Sequence, residues 1–130
     1  MLNHKDTKEL KVIFGGCARD CDKYLEKTFD NIDLYASLFK EHYKLIVENG
    51  SKDKTKEILK NNLKKNHYFF FKEEFTDIKV RTIRLALARN YIVDFVKEDK
   101  ILLNCDYLVM MDLDDIGAKT IELDNLKKSF

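Results

Sequence analysis

The sequence predicts an α/β fold in which four strands alternate with helices, βαβαβαβ, and pair into a mainly parallel sheet. Three observations predict it. Four short apolar runs, at 11–16, 43–47, 67–71 and 106–111, have strand length. Longer segments between them carry apolar residues at helical spacing. The last run, Tyr107-Leu108-Val109-Met110-Met111, has no polar alternation and stops at three carboxylates, Asp112, Asp114 and Asp115. That is the pattern of a strand buried on both faces whose end lies at the ligand-binding edge of an open α/β sheet.

The elements follow in order. Residues 1–10 are polar and read as a frayed end. Lys11-Val12-Ile13-Phe14-Gly15-Gly16 is a first strand closing on small residues. Residues 22–40 carry Tyr24, Leu25, Phe29, Ile32 and Leu38 at helical spacing. Tyr43-Lys44-Leu45-Ile46-Val47 is a second strand, and Glu48 to Asp53 is a turn. A short helix over 53–64, a third strand at His67 to Phe71 and a long helix over 80–98 lead to the fourth strand. The tail from 117 to 128 reads as helical. No repeat, linker or low-complexity segment divides the chain, so residues 1–130 are expected to form one domain.

Composition narrows the function classes. With 45% hydrophobic and 36% charged residues, the chain is expected to be globular and soluble. A net charge of +1 gives no nucleic-acid signature. No apolar run approaches a membrane span, and no signal-peptide core is present. Cys17, Cys21 and Cys105 are odd in number and lack CxxC spacing, which suggests reduced thiols and a cytoplasmic location. His4, His42 and His67 share no motif and read as surface or strand-start residues. Phe69-Phe70-Phe71 reads as core, and Lys60, Lys64 and Lys65 as a solvated face.

Short loops bring three clusters to one sheet edge: Gly15 to Asp20, Glu48 to Asp53, and Asp112 to Asp115. The small residues of the first would let a ligand approach the backbone, or simply make a tight turn. An acid just past strand two can accept from a nucleobase or a ribose hydroxyl. Ser51 or Asp53 would cap the next helix. The three clustered aspartates suit Mg²⁺ or Mn²⁺, with an acidic turn as the alternative. Lysine outnumbers arginine twenty to four, so each arginine's planar fork is notable. Three arginines fall on the long helix. With Leu85 at the centre of its apolar face, Arg89, Ile92 and Val96 share that face, and Arg81 lies close to it. An arginine so placed needs a carboxylate partner or a ligand phosphate.

The segments VIFGGCARDCDKYL, LIVENGSKDKT, RLALARN and YLVMMDLDD together resemble the nucleotide-binding half of a GT-A-fold glycosyltransferase, close to family 2-like and capsular mannosyltransferase-like enzymes. The family turn DDGSxDxT corresponds to Glu48-Asn49-Gly50-Ser51-Lys52-Asp53-Lys54-Thr55, with Glu48 and Asn49 replacing its two acids. Ala88-Arg89-Asn90 matches its ARN element, and Asp112-Leu113-Asp114-Asp115 its DxD motif. The resemblance implies a Rossmann-like sheet in the order 3-2-1-4 and a nucleotide-diphosphate-sugar donor. It implies donor contacts at Cys17, Ala18, Arg19, Glu48, Asn49 and Asp112, and a divalent Mn²⁺ or Mg²⁺ on Asp112, Asp114 and Asp115. Arg84 and Arg89 would add contacts to the diphosphate.

The resemblance covers residues 11–115. Because only fifteen residues follow Asp115, the chain is expected to carry the donor half alone. The acceptor site would then come from a partner or a further segment, and the catalytic base has no candidate here. Two alternatives stay open: an inactive remnant that binds nucleotide at most, and a haloacid-dehalogenase-like phosphatase using Asp112 and Asp114.

Overall fold

The computed structural model describes residues 7–74 and 78–113, apart from the Asp112 side chain. Four strands, β1 (Lys11–Ala18), β2 (Glu41–Glu48), β3 (His67–Phe71) and β4 (Tyr107–Asp112), form one sheet in the order β3-β2-β1-β4. Every pairing is parallel, with Ala18 opposite Glu48 and Cys17 opposite both Val47 and Asp112. Helices α1 (Asp22–Ala36), α2 (Thr55–Asn61), α3 (Arg81–Glu98) and the short α4 (Lys100–Leu103) supply the connections. The result is a Rossmann-like α/β fold with the expected strand order. The tail expected to be helical, and residues 1–6 of the frayed start, lie outside the described residues. Thr7–Glu9 form a 3-10 turn rather than a frayed end.

Strand periodicity divides the core into two layers. Val12, Phe14, Ala18 and Ile46 face α1 and α2, where they meet Leu25, Phe29, Ile32 and Leu59. Ile13, Tyr43, Leu45 and Val47 face α3 and α4, meeting Ala88, Ile92 and Leu102. Central strands β1 and β2 are almost wholly buried, which explains their unbroken apolar runs. The fourth strand, expected to be buried on both faces, is instead an edge strand, with Tyr107 58% and Val109 39% exposed. No helix of the described residues is long and apolar enough to cross a membrane.

Two expectations are corrected here. The first strand runs two residues past the expected 11–16, taking in Cys17 and Ala18, so Gly15 and Gly16, also counted in the ligand loop, lie within β1. A Cβ on Gly15 would lie 3.3 Å from both Ile92 Cγ2 and Met110 Sδ, and one on Gly16 would lie 2.8 Å from the Met111 carbonyl oxygen. The glycines therefore let α3 and β4 close onto β1, and ligand approach does not explain them. Gly16→Ala meets backbone and is expected to cost about 2 kcal/mol. Gly15→Ala meets movable side-chain ends and should cost less. Chemical denaturation of the two variants checks that ranking.

The second correction concerns α3. Its buried face is centred on Ala88 and Ile92, both fully buried, while Arg89 is exposed. The stripe is rotated from the one centred on Leu85 because Tyr91 and Phe95 turn inward. Their rings sit 5.1 Å and 4.8 Å from that of Phe70 on β3. Aromatic pairing across the strand outweighs the aliphatic period read from the sequence.

Both His42 and His67 stand at strand starts, as expected. Burial pushes each imidazole below its ordinary value of 6.5, and the nearby Lys44 charge pushes the same way. A depressed folded-state value means that stability is fully present above 6.5 and is lost as pH falls through the folded pKa. The melting temperature is expected to drop between pH 7 and pH 5, and the drop should shrink in a His42→Gln/His67→Gln variant.

Candidate functional site

The loop after β1 and the loop after β2 are laced together by their own side chains. Asp20 takes φ 48°, one of two non-glycine residues with positive φ among the described residues. Its N–H donates to Ser51 Oγ at 3.0 Å, and its carboxylate accepts from Lys52 N–H at 2.7 Å. Cys21 N–H donates to Thr55 Oγ1 at 3.0 Å, and Asp22 N–H donates to Asp53 at 3.1 Å. Asp53 also accepts from the Thr55 N–H and hydroxyl, at 2.9 Å and 2.5 Å. Burial raises the Asp53 pKa, but those hydrogen bonds together outweigh it and hold the carboxyl below 3.8. The expected capping role is thus only part of the picture. Asp53 holds the start of α2, while Ser51 and Thr55 reach across and fix the first loop.

Beside this lacing, at the carboxyl ends of β1 and β4, lies a cleft of about 310 Å³. Four of the expected site residues line it: Cys17, Arg19, Asn49 and Arg84. Arg81 lines it as well, so among the described residues three arginines and one carboxylate, that of Asp20, form the wall. Such a wall favours an anion. Arg84 has a structural duty too, since its Nη1 donates to the carbonyl oxygens of Ile78 at 2.7 Å and Lys79 at 3.2 Å. Arg19 Nε lies 4.0 Å from Asp20 Oδ2, while its Nη1 is buried with no hydrogen-bond partner among the described residues.

The other expected residues fall differently. Glu48 is fully buried and does not line the cleft. Its Oε2 accepts from Ser51 N–H, and its Oε1 is buried without a partner among the described residues. Ala18 is fully buried and contributes only a carbonyl oxygen, which accepts from Asn49 N–H at 3.1 Å. Arg89 is not part of the lining, though its charge still bears on the Cys17 thiol. The backbone of Asp112 is opposite Cys17, at the cleft's edge. Its side chain, with Asp114 and Asp115, lies outside the described residues. No cluster of three His, Cys, Asp or Glu residues able to hold a metal ion occurs among those described.

Burial holds Cys17 and Cys21 in the thiol form. Burial pushes the Cys17 thiol upward, outweighing the 2.6 Å hydrogen bond that Asn49 Nδ2 donates to its sulfur and the charges of Arg84, Arg89 and Arg81. Burial pushes Cys21 up to about 11. Both stay protonated at neutral pH, so they shape the cleft as small, weakly polar groups.

Sequence reasoning missed three lining residues, Tyr24, Cys21 and Leu85. Tyr24 sits in the first turn of α1, where it was read only as part of the helical spacing, and it is 39% exposed. A position so near a helix start at the ligand edge was the available signal. No family model, no curated protein and no solved structure matches this chain.

Proposed function

We propose that this chain is the donor-binding unit of a GT-A-type glycosyltransferase, taking a nucleotide-diphosphate sugar in the cleft beside Arg19. The observation that carries the reading is a buried polar atom without a partner among the described residues, Nη1 of Arg19, whose side chain lines the cleft. A buried guanidinium nitrogen costs free energy until something bonds it. The phosphate oxygens of a nucleotide offer that complement. The flanking Arg81 and Arg84 would share the diphosphate charge.

A divalent ion fits the chemistry of this edge. Asp112, the last residue of β4, and Asp114 and Asp115, which follow it in the sequence, supply hard oxygen donors at the strand end beside the cleft. Mn²⁺ or Mg²⁺ held there would neutralise the leaving diphosphate. The chain's own residues bind and orient the donor. Cys17, Asn49 and Leu113 form the neutral part of the wall. No observation favours the phosphatase alternative.

A thermal-shift screen of nucleoside diphosphates with and without Mn²⁺ tests the reading. A ligand at about 100 times its Kd stabilises the folded state by about 2.7 kcal/mol. One nucleoside diphosphate should raise the melting temperature, more so with Mn²⁺, and Asp114→Asn should remove only the metal-dependent part. A screen in which no nucleoside diphosphate stabilises the folded chain would overturn the proposal.

A further inference from the structure

A carboxylate in an arginine-walled cleft works against the binding of an anion. Among the described residues Asp20 is that carboxylate, beside Arg19, Arg81 and Arg84. It is held there firmly. Its φ of 48° lies in the left-handed region, where a non-glycine residue is uncommon. Its N–H donates to Ser51 Oγ at 3.0 Å, and its Oδ1 accepts from the Lys52 N–H at 2.7 Å. Both partners belong to the loop after β2, so the carboxylate is fixed from outside its own loop. Its Oδ2 stands 4.0 Å from Arg19 Nε, beyond hydrogen-bond distance, and the side chain is 46% exposed. One oxygen thus anchors the loop, and the other is left for whatever enters the cleft.

A carboxylate only accepts hydrogen bonds, so that oxygen calls for a donor. Bare phosphate and pyrophosphate bring oxygens that the arginines satisfy and Asp20 repels. A nucleoside brings donors, its ribose hydroxyls and its base N–H groups. Glu48, the acid expected in this role, is fully buried and does not line the cleft. The cleft also has two unlike sides. Arg81 and Arg84 come from α3, on one face of the sheet, while Asp20 stands just before α1, on the other. Tyr24, in the first turn of α1, adds a 39% exposed ring on the Asp20 side.

We propose that Asp20 selects a nucleotide over a bare diphosphate, its Oδ2 accepting a hydrogen bond from the nucleoside. This rests on the donor-binding reading above. The nucleoside then lies on the α1 side and the diphosphate reaches toward α3. The repulsion that Asp20 imposes on every anion is offset only when a donor group comes with it.

Titration calorimetry of the full chain with inorganic pyrophosphate and with ADP, CDP, GDP and UDP, all in Mg²⁺, tests this against Asp20→Asn. Asparagine tolerates the left-handed backbone and keeps the oxygen that serves Lys52, so the loop is preserved. Pyrophosphate should bind the variant at least as tightly as the natural sequence. The tightest nucleotide should bind it at least about tenfold more weakly, the scale of one charge-assisted hydrogen bond. Asp20→Gly, which also suits this backbone, should lose the nucleotide preference in the same way. The 2′,3′-dideoxy form of the tightest nucleotide separates the two donors: indifference to Asp20→Asn assigns the bond to a ribose hydroxyl, a retained tenfold loss to the base. A nucleotide held as tightly or more tightly by Asp20→Asn would overturn the inference, because the carboxylate would then be only a repelling charge. Pyrophosphate and nucleotide weakened alike would also overturn it, because Asp20 would then only brace the cleft. Both results leave the donor-binding reading standing. If the natural sequence binds none of the four nucleotides, that reading falls and the inference with it.

Discussion

Asp33→Ala is expected to destabilise the fold by about 3 kcal/mol, and Lys44→Met by less than ~1 kcal/mol. The two residues form one ion pair, with Lys44 Nζ 2.7 Å from Asp33 Oδ1. Their surroundings are unequal. The Lys44 side chain is 4% exposed and that of Asp33 is 56% exposed. Removing the aspartate takes the close counter-charge from an ammonium on a largely buried side chain, which also lies 5.1 Å from the Phe29 ring. Removing the lysine leaves a carboxylate that water already reaches. Methionine keeps the volume and can rest against the same ring. Urea denaturation with unchanged m-values measures the difference. Equal losses in the two variants would mean that the lysine, too, is effectively solvated.

Thr55→Val is expected to cost about 2 kcal/mol although it preserves shape and burial. The side chain is fully buried, and its hydroxyl serves two partners at once. It accepts from Cys21 N–H and donates to Asp53 Oδ1. Valine would leave the Cys21 N–H buried with no acceptor and deprive Asp53 of one of the bonds that hold its charge. Thr55→Ser keeps the hydroxyl and should recover most of the loss. Because this hydroxyl joins the β1 and β2 loops, the valine variant should also release the first loop. Hydrogen exchange at 19–22 should quicken there and not in β3. A valine variant as stable as the natural protein would show that water takes over the hydroxyl's role.

The sheet was readable because its signal is local. Four apolar runs with helical segments between them leave few parallel arrangements, and the central strands are buried on both faces. The first loop was misplaced by two residues. Glycine usually punctuates a chain, and nothing local says that Gly15 and Gly16 are small because Ile92 and the Met111 carbonyl approach them. The face of α3 was misjudged for a related reason. Aliphatic spacing pointed to Leu85, whereas Tyr91 and Phe95 answer to Phe70, which is distant in sequence. Cys17, Arg19, Asn49 and Arg84 were legible as cleft residues because strand ends and scarce arginines mark them. The cross-loop roles of Ser51 and Thr55 depend on two loops meeting in space, which no window of sequence contains. The buried Lys44 sits in an apolar run, and its partner was not legible there because Asp33 comes from α1.

The central claim is that the arginine-walled cleft binds a nucleoside diphosphate through Arg19. Titration calorimetry of the folded chain with the best-stabilising nucleoside diphosphate and Mn²⁺ tests it most directly, alongside Arg19→Met. The account predicts saturable one-site binding, weakened at least about tenfold in the variant, as loss of one charge-assisted hydrogen bond of ~1.5–3 kcal/mol requires. No heat of binding from the folded natural sequence, or unchanged affinity in Arg19→Met, would contradict it.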